Sequence, residues 1–238
     1  MVGARRTTAG PVLSPIELSK NGERASDLAY TQLFDAIRDL RLPPGTTLSE
    51  PDLAEQLEVS RTPIREAVSR LVNNGLVSVK PKVGTVVDPI PMWAVTEAQF
   101  VRELLEVGAF KVVAGSHDRD VSEMRRLIDE QRECQHDANI AGFFHADELM
   151  HEQLFVLSGN TSVWGSLRAM KVQLDRVRRL SLPDPARITS LIAEHEHIVD
   201  ALEAGDIERG EYWLKLHIGR VRHDAPALRT AHPELFTD

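Results

Sequence analysis

Ser60-Arg61-Thr62-Pro63-Ile64-Arg65-Glu66-Ala67-Val68-Ser69-Arg70-Leu71 is the stretch whose reading decides how the first third of this chain folds. Ile64, Ala67, Val68 and Leu71 recur at steps of three and four, the buried stripe of an amphipathic helix. Ser60 or Thr62 can cap that helix, and Pro63 is tolerated in its first turn. Thr62, Arg65 and Ser69 then fall on the opposite face, with Arg61 at the N-terminal end. Just upstream, Ser49-Glu50-Pro51-Asp52 reads as another helix start, followed by Leu53, Ala54 and Leu57 and ended by a turn at Val59-Ser60.

Two short helices joined by a tight turn, the second presenting arginines outward, form a helix-turn-helix pattern. A planar guanidinium can take both acceptors of a guanine edge, or a phosphate, bidentately. Working outward, Leu28, Ala29, Leu33, Ala36, Ile37 and Leu40 predict an earlier helix, which Leu42-Pro43-Pro44-Gly45 stops. Downstream of Asn73-Asn74-Gly75, the runs Leu76–Val79 and Thr85–Val87 flank Lys80-Pro81-Lys82-Val83-Gly84. That is a hairpin with a basic tip, the wing of a winged helix, where Gly84 lets the backbone approach a groove closely. Residues 1–22 lack periodicity and read as a flexible arm. The first domain therefore spans 23–88, and 89–91 reads as a linker.

The net charge of −8 is unevenly divided. Residues 1–90 carry 11 basic and 11 acidic side chains, so the excess acid lies beyond them. Within 59–87, five basic residues face Glu66 alone, the local positive charge that a duplex backbone selects. Cys134 is the single cysteine, which excludes an internal disulfide and fits a reducing cytoplasm. No stretch approaches the roughly 20 apolar residues of a membrane span, and the first twenty residues hold no signal-peptide core.

Residues 92–223 have helical period nearly throughout, in segments near 92–114, 121–137, 141–158, 161–181, 186–204 and 207–223. This predicts an all-α antiparallel bundle of six to seven helices and a mainly α protein, with 224–238 as a C-terminal tail. No glycine-rich phosphate loop is present, which argues against a nucleotide enzyme. On the inward stripes stand Asp147 and His151, one turn apart with Phe143, Phe144, Met150 and Leu154. His195 and His217 occupy the inward stripes of two later helices, whereas His197 should face solvent. One carboxylate and three imidazoles pointing inward favour a divalent metal: zinc first, with nickel or manganese as alternatives. Each residue taken singly also fits a satisfied core polar group.

The run Ser60–Ala67, Arg70-Leu71, Gly75-Leu76-Val77 and Gly84 resembles the GntR family of winged-helix regulators. That resemblance implies an operator contact set of Arg61, Thr62, Arg65 and Arg70, with Gly84 at the wing tip, and the basic tip of this chain adds Lys82. Val83 departs from the arginine the family often carries before the wing glycine; Lys82 supplies the charge but not the planar fork. The order Asp147-x3-His151, Glu194-His195, His217, with Arg102-Glu103-Leu104-Leu105-Glu106 and Ser158-Gly159-Asn160, resembles the effector-binding domain of the FadR subfamily, the FCD type. It implies a metal with open positions for a small carboxylate effector, with Arg102 and Asn160 as polar pocket residues. The expected function is a cytoplasmic, homodimeric regulator that binds palindromic double-stranded DNA and answers to a small organic acid. Two alternatives fit less well. A metal-dependent enzyme has no His-Glu-x-x-His run to support it. A metal-free bundle binding an apolar or acyl ligand would carry mismatched residues at the four ligand positions.

Overall fold

The computed structural model describes residues 13–17, 23–182 and 184–238. Two compact units divide between Pro89 and Ile90. In the first, α1 (Ala25–Arg38) packs on α3 (Arg61–Asn73), with the short α2 (Glu50–Gln56) beside it. Ser49 caps α2 by accepting from the Asp52 amide, and Pro51 sits in the first turn. Ser60 is the N-cap residue of α3, but its side chain makes no capping bond. The expected stripes meet in one core: Leu33, Ile37, Leu57, Ile64, Ala67 and Leu71 have no measurable exposure.

Three strands, β1 (Thr47–Leu48), β2 (Val77–Lys80) and β3 (Gly84–Val87), form an antiparallel sheet in the order β1-β3-β2. Pairing of Val77 with Val87 and of Lys80 with Gly84 sets the wing hairpin. The turn requires left-handed backbone at both Lys82 (φ 64°) and Gly84 (φ 107°), conformations easy for the glycine and costly for the lysine.

Part of the expected N-terminal arm is built into this unit. Leu13 is buried, Ser14 and the Gln32 side chain exchange two hydrogen bonds, and the Ile16 amide donates to Leu57 O. The remainder of that arm, 1–12 and 18–22, lies outside the described residues.

The second unit holds seven helices among the described residues: α4 (Met92–Ala114), α5 (Ser122–His136), α6 (Ile140–Leu157), α7 (Thr161–Met170), α8 (Val172–Ser181), α9 (Pro185–Ala204) and α10 (Ile207–Ala231). The segment expected as one helix over 161–181 is two. The break falls at Lys171, a fully buried residue whose ammonium bonds both Asp175 oxygens (2.9 and 2.8 Å) and Glu148. A lysine is buried this completely only when its charge is compensated.

The expected tail 224–238 is also structured. Helix α10 continues through Pro226 to Ala231, and Phe236–Thr237 forms β5, which pairs in parallel with β4 (Ile90–Pro91). Burial of Phe236 among Ile90, Val95, Leu174 and Val177 supplies the apolar contacts that hold the end of the chain. The expected linker 89–91 shortens accordingly, because Ile90 and Pro91 belong to the sheet.

Close packing of α4 on α10 depends on Gly210. A Cβ at that position would lie 1.8 Å from the Phe110 ring. Gly210→Ala is expected to destabilise the protein by about 1–3 kcal/mol through overpacking. Gly165→Ala, in α7 with open space around it, should instead be neutral or stabilising by up to about 1 kcal/mol. Urea unfolding of both variants checks the contrast.

Candidate metal centre and nucleic-acid interface

Each helix that contributes to the centre is started by its own cap. Asn139 accepts from the Gly142 amide at the head of α6, Asp184 from Ala186 at the head of α9, and Asp206 from Arg209 at the head of α10. The buried stripe of α6 then carries Asp147 and His151 inward with Phe143, Phe144, Met150 and Leu154. His195 comes from α9 and His217 from α10, both buried.

The four side chains converge. His217 Nε2 lies 3.1 Å from His151 Nε2 and 3.3 Å from His195 Nε2, and Asp147 Oδ1 lies 3.5 Å from His195 Nε2. One ligand atom from each residue falls within 4.8 Å of all the others. Metal–nitrogen bonds near 2.1 Å put neighbouring ligand atoms about 3.0–3.4 Å apart, a range that the two His217 contacts match and the wider pairs approach.

Every imidazole is held from behind through Nδ1. Glu106 Oε2 lies 2.8 Å from His151 Nδ1, Gln131 Oε1 is 2.7 Å from His195 Nδ1, and Glu194 Oε2 is 3.0 Å from His217 Nδ1. The hydrogen bonds to Gln131 and Glu194 place the proton of His195 and His217 on Nδ1 and leave their Nε2 lone pairs facing the centre, whereas Glu106 stands at ion-pair distance from His151 Nδ1 without hydrogen-bond alignment. Two imidazole lone pairs, the His151 Nε2 atom and a carboxylate oxygen thus face one another, a donor set that suits a cation. Asp147 Oδ1 is buried with no hydrogen-bond partner, as a metal-ligating oxygen would be.

The charges match a metal-ligating role. Burial drives His195 down, with His217 beside it adding to the effect; burial also drives His217 to about 4, although its bond to Glu194 opposes that. Both rings are therefore neutral at pH 7. Burial by itself would raise Asp147, but the Arg178 guanidinium holds its carboxyl well below the usual range. Glu106 is likewise raised by burial yet held to about 2 by Arg102 and His151.

Beside the centre lies a cavity of about 30 Å³ lined by Arg102, Phe143, Phe144, Arg178, His217 and Arg220 among others. It shares Ser181, Arg187, Arg220 and Asp224 with an open cleft of about 550 Å³. Arg102, expected inward, is 1% exposed; its Nε bonds Glu106 at 2.6 Å and its Nη2 is unpartnered. A buried, cationic pocket with a spare guanidinium donor suits an anionic oxygen.

The structure does not bring Asn160 to this cavity. Asn160 is exposed at the N-cap of α7, and its amide is taken by Ser158 O and Oγ because the loop from α6 turns there. His197 does not face open solvent either; it is half-buried and stacked on Trp213 at 4.1 Å. The sequence reading did not single out Gln131, Arg178 or Arg220 and did not place Glu106 behind His151. Gln131 and Glu106 do continue the stripes of α5 and α4 and could have been read from period. Arg178 sits in the basic run Arg176-Val177-Arg178-Arg179, which looks like a solvated face. In the structure it binds Asp147, Glu148 (2.6 Å) and Asp175 (3.1 Å).

On the first unit, Arg61, Thr62, Arg65, Arg70, Lys82 and Gly84 are all exposed. Arg65 is 74% exposed and reaches Glu50 at 3.4 Å. Arg70 is engaged within the unit: it bonds Asp27 at 2.7 Å and lies over the Tyr30 ring at 3.9 Å, bracing α3 against α1. Val83 at the wing tip is 58% exposed.

Residues 25–87 match the model of the bacterial regulatory proteins of the gntR family, and residues 97–220 match the FCD domain. The chain belongs to the GntR family, with an FCD domain behind its winged helix. An HTH-type transcriptional regulator in an unstable DNA locus of Streptomyces ambofaciens is 36% identical, over 91% of both chains. The transcriptional repressor RspR of Escherichia coli is 26% identical, over 82% of this chain and 86% of its own. A GntR regulator from Rhodococcus sp. RHA1 superposes with a TM-score of 0.72 at 26% identity, covering 85% of this chain and 97% of its own. The GntR chain is accordingly a DNA-binding transcriptional regulator and not an enzyme. No described helix is long and apolar enough to cross a membrane.

Arg178 compensates three buried carboxylates at once. Arg178→Ala is expected to cost about 3–5 kcal/mol, since it leaves the buried Asp147 carboxylate without its cation and leaves Glu148 and Asp175 with Lys171 alone. A loss under about 1 kcal/mol in urea unfolding would contradict the network's structural importance.

Proposed function

We propose that this GntR-family chain is a metabolite-responsive regulator of the FadR subfamily. In this reading a divalent metal is held by Asp147, His151, His195 and His217, and a small organic acid bound beside it controls operator affinity. The observation that carries the reading is the convergence of three Nε2 atoms on the unpartnered Asp147 Oδ1, with an acceptor behind every ring. When bound, the cation supplies a Lewis-acid centre that an effector carboxylate can join; zinc is the first choice for the donor set, with nickel or manganese next. Arg102 Nη2 is placed to take the effector's other oxygen, and Arg178 keeps Asp147 ionised. Phe143 and Phe144 help exclude water from the cavity. A metal-dependent hydrolase would need a base free to act on water, and Glu106 and Glu194 are each committed to an imidazole and an arginine.

Tag-free protein purified without chelator should carry stoichiometric divalent metal, and His195→Ala should carry almost none. Wild type without metal, or a His195→Ala variant with an undiminished load, would sink the site.

For DNA, the exposed Arg61, Thr62 and Arg65 at the head of α3 support base contacts, while Lys82 and Gly84 place the wing for backbone contact. Arg70, already braced on Asp27 and Tyr30, serves chiefly to hold α3. Arg65→Ala should weaken binding to an operator duplex by about 1–3 kcal/mol while Arg70→Ala mainly lowers stability. Equal operator affinity of Arg65→Ala and wild type in a salt-matched titration would contradict this assignment.

A palindromic operator calls for two copies. Trp93, Phe100, Leu104 and Val112 lie exposed along one face of α4, and Tyr212 and Leu216 are exposed on α10, which packs against it. These six side chains offer on the order of 600 Å² of apolar surface, given 150–250 Å² for each large aromatic. A standard interface takes about 800 Å² from each partner. A second copy on this face supports the homodimer, and Leu104→Glu should sediment as a monomer where wild type sediments as a dimer. A dimer that acts on DNA would work in the cytoplasm.

A further inference from the structure

The chain between the two units is one residue long where the sequence implied three. On one side, the Asp88 amide donates to Leu76 O at 2.9 Å, and Ser78 Oγ donates to the Asp88 carboxylate at 2.6 Å. On the other, Ile90 is fully buried and paired with Phe236. Only Pro89, whose ring fixes φ, stands between these two sets of hydrogen bonds. What shortens the connection is the last strand of the protein: without β5, β4 has no partner and its residues revert to linker.

The segment that ends in β5 also walls the cleft. Asp224, Ala227 and Leu228 line that cleft, and Asp224 forms an ion pair with Arg187 where cleft and inner cavity meet. From Leu228 the chain turns through Pro233–Leu235 into β5, where Arg229 is ion-paired with Asp238. Pro226 lies between Asp224 and this turn. It removes the amide that the Arg222 carbonyl would accept from, so α10 is weakest there. Opposite, α8 carries Arg178 towards Asp147 on one face and packs Leu174 and Val177 on Ile90 and Phe236 with another.

We propose that residues 224–238 form a clasp on the linker strand, and that an occupant of the cleft which breaks the Arg187–Asp224 pair loosens it, lengthening the tether to the DNA-binding unit. The regulatory part rests on the effector reading above. The clasp itself does not.

The test uses hydrogen exchange on the full, tag-free chain, following peptides that span 88–95, with no ligand added. Four proteins are compared: wild type, Phe236→Ala, a chain ending at His232, and Asp224→Ala, which breaks the ion pair without an occupant. Exchange in α6 and α9 reports whether each variant keeps the bundle folded. The expected result is exchange over 88–95 about tenfold faster in Phe236→Ala and in the shortened chain, and raised several-fold in Asp224→Ala, with α6 and α9 unchanged. Wild-type protection in Phe236→Ala and the shortened chain would overturn the clasp. Fast exchange in those two with wild-type protection in Asp224→Ala would overturn the coupling to the cleft. Failure of the metal reading would show in metal analysis and leave these rates as they are, so the two failures are told apart.

Discussion

Burial of four polar side chains against one another at the centre of the helical unit is the constraint on which the rest depends. Asp147 Oδ1 and the Nε2 atoms of His151, His195 and His217 are brought together in the buried core. A folding chain ordinarily avoids such a cluster, because each unsatisfied polar atom costs roughly 1–3 kcal/mol. Here the surroundings are built to hold it. Glu106, Gln131 and Glu194 orient the rings, Arg178 takes the far oxygen of Asp147, and Lys171, Asp175 and Glu148 extend the pairing outward. Each of those partners comes from a different helix from the ligand it supports, or from a different turn of the same one. The bundle's packing and the centre's geometry are therefore one arrangement: shifting a helix by a turn would unpair charges as well as apolar contacts.

This accounts for what could be read from the residues and what could not. Periodicity exposed the helices because apolar burial repeats with the helix, and it exposed the ligands because they share those stripes. Ile64, Ala67, Val68 and Leu71 likewise showed α3 with its arginines outward. Asn160 was misplaced for a physical reason: a residue in a loop has no period to fix its direction, and local backbone oxygens claimed its amide. Arg178 was overlooked because an arginine beside other arginines looks solvated, and only the fold reveals three carboxylates waiting for it. The break at Lys171 and the strand at Phe236 depend on partners more than twenty residues away in sequence, Glu148 and Ile90, so no local pattern announces them.

The two units divide the work of the GntR chain. The winged helix is nearly neutral overall but basic where α3 and the wing are exposed, so charge favours approach by that face. The acidic helical unit carries a cationic pocket inside it, with Arg102, Arg178, Arg187 and Arg220 around a small cavity. An anion attracted to that pocket meets the same arginines that stabilise the bundle. Occupancy must therefore redistribute ion pairs, and a regulator that works by population shift needs such differential contacts.

Anomalous diffraction from crystals of the tag-free protein, collected on both sides of the bound metal's absorption edge, tests the central claim most directly. The account predicts one strong peak per chain within bonding distance of Asp147 Oδ1 and of the Nε2 atoms of His151, His195 and His217. A map with no peak there, and with the four side chains hydrogen-bonded to one another or to water instead, would contradict it.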